Sequence, residues 1–544
     1  MQEYGMANRS SAAFSTGDSW IGSGSTALLR GMGVLGVGAV GLAGIGLSSM
    51  GTLLFSQVVG LWSGVNLAAA VAVGLVVCLV LAYTYTCIAA AVPRAGADYI
   101  LASRVLNAPL AFVASWVFVL FCGLLVGNLL GLFVKEIVPL FSQIAVLIFG
   151  STGSLDLIKI ANQPQVIISA GTLLTVVAFV GLFVPQRLFQ RLMLVGGGLG
   201  VLAWGAILVS FFFSQPGAFA SAWNQAHSVE SYYATVIPAA QALGFQNAIV
   251  PNFSLAGLSM GLVVFFGFIS ATYLGGDVRK PESAILGGSA LALLVAALVF
   301  IAAAVLAVRV IPADWLAAQS FLSLNLAYAG AATPYITYYA GLLTPNLPLL
   351  LLIYWGWVFS FITLIQAFMV FIGRILLAWA DDGLLPEGMT YVHPHYRSPL
   401  VTLLVAAVLV QLGLVIFFAG SAGNLVARLT FFGAVTLLVP VTAVTFFPFL
   451  KKTWFQASPA FVQRKIGPLP VITLTGSLVM AYLVFLLIGP LLSVGGLQGI
   501  SLVDLLVFGG MVLSGGIWYV SRIFHLRAHG VRLEELMRSL PRSS

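Results

Sequence analysis

The sequence predicts an all-α integral membrane protein of twelve transmembrane helices, and three observations carry that prediction. Of 544 residues, 60% are apolar or aromatic and only 7% are Asp, Glu, Lys or Arg, against roughly 25% charged in an ordinary soluble domain. So few charges cannot coat the water-facing surface of a soluble multidomain enzyme. The apolar residues fall in twelve continuous runs, each long enough for a helix to cross a ~30 Å hydrocarbon core. None shows the alternating polarity of a membrane β-barrel strand, and the mean hydropathy is +1.08.

Residues 1–30 are polar and Ser-rich and read as an N-terminal tail, with no cleavable apolar leader ahead of the first span. The first five runs, near 34–60, 67–92, 109–134, 165–185 and 192–214, fill residues 31–215. A long loop follows at 216–257. Five more runs, near 258–279, 285–310, 348–380, 399–420 and 430–450, occupy 258–450, with a second long loop at 311–347. Tyr232, Tyr233, Trp315, Tyr335 and Tyr339 in the two loops predict short surface helices rather than slack linkers. The last runs, 469–490 and 502–523, lie within 451–524, and the basic stretch 525–544 predicts an amphipathic tail on the membrane surface. Cys78, Cys87 and Cys122 sit in apolar runs and read as small core residues.

Lys and Arg outnumber Asp and Glu by 23 to 15. With an even number of spans both termini share a side. That side collects Arg94, Arg104, Arg187, Arg191, Arg279, Lys280, Arg374, Arg397, Lys451, Lys452 and the basic tail, and the other holds Lys135, Lys159, Arg309 and Arg428. The positive-inside rule makes the first side cytoplasmic, in a cell (plasma) membrane. Topology and attraction to anionic lipid account for the excess charge, so membrane lipids are expected partners and nucleic acid is not.

Charged groups within a bilayer are costly and mark functional sites, and the sequence places essentially none at depth. Lys135 and Glu136 at the outer end of the third span, Asp504 at the start of the twelfth and Arg428 before the tenth read as interfacial anchors. His393 and His395 flank Pro394 in a loop, where a solvated turn is expected and a metal site is not. A carboxylate or histidine proton relay and an enzyme with acid and base groups at depth are both disfavoured. A polar substrate can instead be held by main-chain groups freed where a helix is interrupted. The first span carries Ser48, Ser49, Met50, Gly51 and Thr52 near its middle, and the sixth carries Gly267 beside Ser270 and Thr272. Such residues also serve close helix packing, but these two sets occupy corresponding places in successive blocks of five spans.

Three junctions then become specific. Pro93-Arg94-Ala-Gly96-Ala-Asp98-Tyr99 after the second span resembles the P-R-x-G-G-x-Y stretch of the amino acid, polyamine and organocation (APC) superfamily of permeases. Gly276-Asp277-Val278-Arg279-Lys280-Pro281 after the sixth resembles that superfamily's E-V-K-N-P junction, and Arg374 to Asp381-Asp382-Gly383-Leu384-Leu385-Pro386 its R…A-x-D-G-L-L-P signature. The resemblance implies a leucine-transporter-like fold, an inverted repeat of spans 1–5 and 6–10 with two helices appended. Substrate would lie between the first and sixth spans, against Ser48, Ser49, Gly51 and Thr52 on one side and Val263, Phe265, Phe266, Gly267 and Ile269 on the other, with Phe368 of the eighth span lining the pocket. The superfamily's G-S-G stretch falls on Gly51-Thr52-Leu53, without its last glycine. Ser360 and Thr363 are the residues the resemblance would give to Na⁺. The fifth span has no lysine at Val195–Gly200, where some proton-coupled relatives carry one, so Na⁺ and H⁺ coupling both stay open. No other cofactor is expected.

The expected function is secondary active transport of a small, neutral amino acid by alternating access. A precursor/product or amino acid/amine exchanger and a membrane amino acid sensor are the alternatives.

Overall fold

A computed structural model describes residues 31–530, apart from 162, 228–231, 247–252, 279, 326–332, 395, 397, 420–424 and 493–500. The tails at 1–30 and 531–544, with Arg279, His395 and Arg397, lie outside the described residues.

The first span is built from α1 (Val34–Ile45), α2 (Leu47–Leu53), a π-helical turn (Leu54–Val58) and α3 (Val59–Leu61). There follow α4 (Leu67–Ala91), α5 (Ala97–Val105), α6 (Ala108–Ala161), α7 (Pro164–Val180) and α8 (Gln186–Phe213). The first long loop holds α9 (Ala218–Ala226) and α10 (Tyr233–Ala242). The sixth span is α11 (Phe253–Phe265) continued by a 3₁₀ segment (Phe266–Gly276), and α12 (Pro281–Val310) is the seventh. The second loop holds α13 (Ala313–Leu324) and α14 (Ile336–Leu343). The remainder is α15 (Leu347–Asp381), α16 (Leu400–Ala419), α17 (Leu425–Leu450), α18 (Lys452–Ala457), a two-stranded turn pairing β1 (Lys465–Ile466) with β2 (Leu469–Pro470), α19 (Val471–Leu492) and α20 (Leu502–Ala528).

The molecule is an all-α, multi-pass membrane protein. Among the described residues, 11 helices are long and apolar enough to cross a membrane. The expected fourth span is α7, whose 17 residues reach only about 26 Å at 1.5 Å per residue. The third span extends well past its expected end near 134, because the apolar residues after Lys135 and Glu136 continue the helix through Pro139 to a kink at Gly150 (φ 74°). Lys135 is exposed, with its ammonium 4.9 Å from the centre of the Phe417 ring.

Small residues set how closely the spans approach. On α6, a Cβ at Gly123, Gly127 or Gly131, each four residues from the next, would strike Leu409, the Val410–Leu414 backbone or Phe417 of α16. On α8, Gly196 and Gly200 in the same spacing lie against Thr363 and Ser360 of α15. Without a hydrophobic drive between helices in lipid, such close backbone approach is a main source of their attraction. Cys78, Cys87 and Cys122 are buried free thiols.

The loop helices cap one end of the bundle, as the aromatic content predicts. Trp315 stacks on Tyr233 at 5.1 Å and donates its indole N–H to the Tyr233 carbonyl. Phe219, Trp223 and Tyr339 pack around it. Below this cap, Arg309 donates to the carbonyls of Phe211, Phe212 and Ser214 at the C-terminus of α8, a cation placed on the negative end of a helix dipole. Arg428 and Asp504, expected as separate anchors, are partners at 2.8 Å, and Asp504 also closes a capping box with Ser501.

Candidate functional site

The first span is interrupted at Gly46, which adopts φ 68° and ψ 79° and separates α1 from α2. This left-handed conformation is one that glycine reaches without the steric cost of a Cβ. The sequence reading placed the interruption at Ser48–Thr52, and the structure corrects it: those residues are helical within α2. The turn at Gly46 follows Gly44-Ile45, whereas Gly51-Thr52-Leu53, on which the resemblance placed the G-S-G stretch, are helical. Gly51 has a packing role instead, lying against the Trp204 ring. That indole donates its N–H to the Leu47 carbonyl at 3.1 Å, directly after the turn.

In the sixth span, where the sequence reading expects a break, the backbone stays helical and passes from α to 3₁₀. The α-helix ends at Phe265, whose φ of −111° departs from helical values, and a 3₁₀ segment continues from Phe266. The two irregularities touch. Gly267 meets the Gly44 carbonyl and the Ile45 nitrogen so closely that a Cβ there would collide with main chain, and Gly44 lies equally close to the Gly267 carbonyl and Ser270. The Ser270 hydroxyl lies 2.8 Å from the Gly267 carbonyl and 3.3 Å from that of Val40.

The remaining candidates arrange around this contact. Ser48 reaches across to Ser360 at 3.4 Å, whereas Ser49 turns back to the Gly46 carbonyl. Thr363 donates to the Ser360 carbonyl of its own helix, so the two hydroxyls considered for Na⁺ are engaged within the protein. Val263, Phe265 and Ile269 are buried. The Phe266 ring meets Phe118 and Phe121 of α6 edge-on, at 6.1 and 6.0 Å. Phe368 packs on Phe371, itself 5.9 Å from Phe118, and Phe121 stacks on Phe432 of α17. Phe118, Phe121 and Phe432 escaped the sequence reading because nothing in an apolar run marks which aromatic faces inward.

Glu136 is the second correction. Expected as an interfacial anchor, it is completely buried. Its carboxyl oxygens are hydrogen-bonded with the Thr52 hydroxyl of α2, with the Thr337 hydroxyl of α14 at 2.7 Å and with the Trp357 indole N–H of α15 at 3.2 Å. The signal was helical phase. Leu129, Phe133 and Leu140, at −7, −3 and +4 from Glu136, are buried on one face of α6, and successive residues point about 100° apart. Lys135 and Glu136 therefore cannot share an outward face.

At the opposite end the three junction motifs converge. Arg104 grips Asp382 with two N–H···O bonds of 2.7 Å, and the Tyr99 hydroxyl adds a third at 2.8 Å. Tyr273 donates to Asp98. Arg374 pairs with Asp277 at 3.1 Å, and the Asp277 carbonyl accepts the N–H groups of Gly31 and Met32. Burial pushes Asp98 up to about 6, against the opposing hydrogen bonds from Tyr273 and the Tyr99 N–H. Gly96 (φ 64°) lets the first motif turn tightly against Ala378.

The family described as amino acid permease matches residues 31–501, well over half of the chain. No curated protein matches it.

Proposed function

Because the chain belongs to the amino acid permease family, we propose that it is a secondary transporter that carries a small, neutral amino acid through the bundle by alternating access. One observation supports this most: the turn at Gly46 and the α-to-3₁₀ change at Phe265–Gly267 lie main chain to main chain. Amide and carbonyl groups released at such interruptions can receive the carboxylate and ammonium of an amino acid without any fixed charge. The side chains nearby, Val263, Phe265, Phe266, Ile269 and Phe368, are apolar and favour a substrate with an uncharged side chain, since an unpaired charge there would be heavily penalised. On this reading the end holding the Arg104–Asp382 and Arg374–Asp277 pairs is cytoplasmic, as are both termini, and the aromatic cap faces outward from the plasma membrane.

The test is uptake by purified protein in liposomes. Labelled alanine or leucine should accumulate saturably and compete with other neutral amino acids. Movement of arginine, glutamate or polyamines alone would contradict the pocket. Uptake only into preloaded vesicles would identify an exchanger, and saturable binding without any flux a sensor.

A further inference from the structure

We propose that Glu136 is a proton-binding site that couples transport to a proton, with the carboxyl group acting as the clasp between the outer half of the first span and the loop helix above it. The coupling, though not the proton binding, rests on the transport reading given above.

The geometry begins with what Glu136 lacks. It is wholly enclosed, and none of the ion pairs among the described residues includes it. An isolated carboxylate sealed from water and without a cation is strongly disfavoured against the neutral acid. Among the described residues, the surroundings offer no compensating charge. Lys135 is turned to the Phe417 and Phe418 rings. The helices α2, α7 and α16 contain no titratable side chain. On α8 the charges are Arg187 and Arg191, at the far end of that helix. On α15, Arg374 is held by Asp277, and on α5, Arg104 by Asp382. Arg428 of α17 is held by Asp504 of α20. The tyrosines on these elements are Tyr99 on α5, Tyr335, Tyr338 and Tyr339 about α14, Tyr354 on α15 and Tyr519 on α20, which with Arg522, His525 and Arg527 lies toward the Phe112 end of α6. Of these, Tyr335 senses Glu136 electrostatically, its hydroxyl pushed up first by burial and then by that carboxyl.

Donor counting then separates the two protonation states. The Thr52 hydroxyl has one hydrogen but two acceptors in reach, the Ser48 carbonyl at 2.9 Å and Glu136 Oε2. With Oε2 protonated, its O–H donates to the Thr52 oxygen, and Thr52 still donates to Ser48. Thr337 serves Oε1 and Trp357 serves Oε2, so every group is satisfied. When the proton leaves to water, the O–H bond breaks and the charge remains on the carboxylate. Thr52 must then abandon Ser48 to serve it, and the buried charge draws water into the clasp. The clasp thus holds when protonated and loosens when ionised. Thr52 stands six residues, about 9 Å along the helix, from the turn at Gly46, so loosening acts on the half-helix that borders the proposed substrate site. Trp357 extends the link, packing at 5.2 Å against Trp204, which bonds the Leu47 carbonyl.

The decisive variant is Glu136→Gln, whose amide nitrogen, placed where Oε2 lies, donates to Thr52 while its oxygen accepts from Thr337, so that only the Trp357 N–H loses its acceptor. Infrared titration of the purified protein should show a protonated-carboxyl C=O band that disappears in Glu136→Gln and persists in Asp98→Asn. In liposomes, an acid exterior one pH unit below the interior should sustain about tenfold alanine accumulation by the wild type at one proton per substrate. Glu136→Gln should retain alanine exchange at equal pH on both sides and lose that accumulation. Three results would overturn the proposal: a variant that accumulates alanine as the wild type does, an unchanged infrared band, or loss of alanine binding at constant pH, which would place the carboxyl in the substrate site itself. A wild type that exchanges no amino acid would refute the transport reading instead, and the infrared arm would still decide whether Glu136 holds a proton.

Discussion

At Gly267 a single methyl group separates a working contact from a collision. The obstacle to a Cβ is the Gly44–Ile45 main chain rather than a flexible side chain, so Gly267→Ala should abolish uptake and Gly267→Leu should also lower the yield of folded protein, as read by size-exclusion chromatography. Gly46→Ala meets a different penalty, about 1–2 kcal/mol for the left-handed conformation, together with a clash against Leu364. At Asp98 the sign of the pH effect follows from its elevated value. Between 3.8 and about 6 the folded protein keeps a proton that the unfolded chain releases. The stability contributed by Asp98 is therefore complete below 3.8 and is lost as pH rises through about 6. Thermal denaturation in detergent should show that slope, and Asp98→Asn should flatten it. These residues were unequally legible. Gly267 stood out because it lies among phenylalanines, whereas Gly46 was hidden in a run where glycine recurs from Gly31 to Gly51. Glu136 was misread because charge beside charge suggested a boundary, although helix phase points the two side chains apart.

At the scale of elements, the three junction motifs were the most readable part of the sequence, and the structure gives the reason. Each is a short polar segment between apolar runs, and the three are tied by two buried ion pairs, Arg104–Asp382 with Tyr99 and Arg374–Asp277. The Arg104–Asp382 pair has side chains only 1% and 9% exposed. Removing one partner of such a pair typically costs about 3–5 kcal/mol, because the other charge is left buried and alone. Arg104→Ala should therefore lower the denaturation midpoint sharply, and adding Asp382→Asn should restore part of the loss. No restoration in the double variant would mean the pair is not the source. The third span shows the limit of run length as evidence. Its helix passes through Lys135, Glu136 and Pro139, because the lysine can lie along aromatic rings and the glutamate can turn inward.

For the whole molecule, composition and the succession of long apolar runs settled the class, an all-α multi-pass membrane protein. The count was harder, since α7 has an apolar run of expected length but folds as only 17 helical residues. If α7 crosses the membrane with the other eleven, cysteines introduced at Ser23 and Ser543 should react with an impermeant reagent from the same side. Labelling from opposite sides would leave an odd number of crossings. The claim on which the functional reading turns is that main-chain groups at Gly46 and Phe265–Gly267 receive the substrate. A structure determined by electron cryo-microscopy with a neutral amino acid bound tests it most directly. The account predicts substrate density against the Gly44–Gly46 and Phe265–Gly267 backbones, beside Phe266 and Phe368. Density elsewhere in the bundle, with both spans continuing as unbroken α-helix through these glycines, would contradict it.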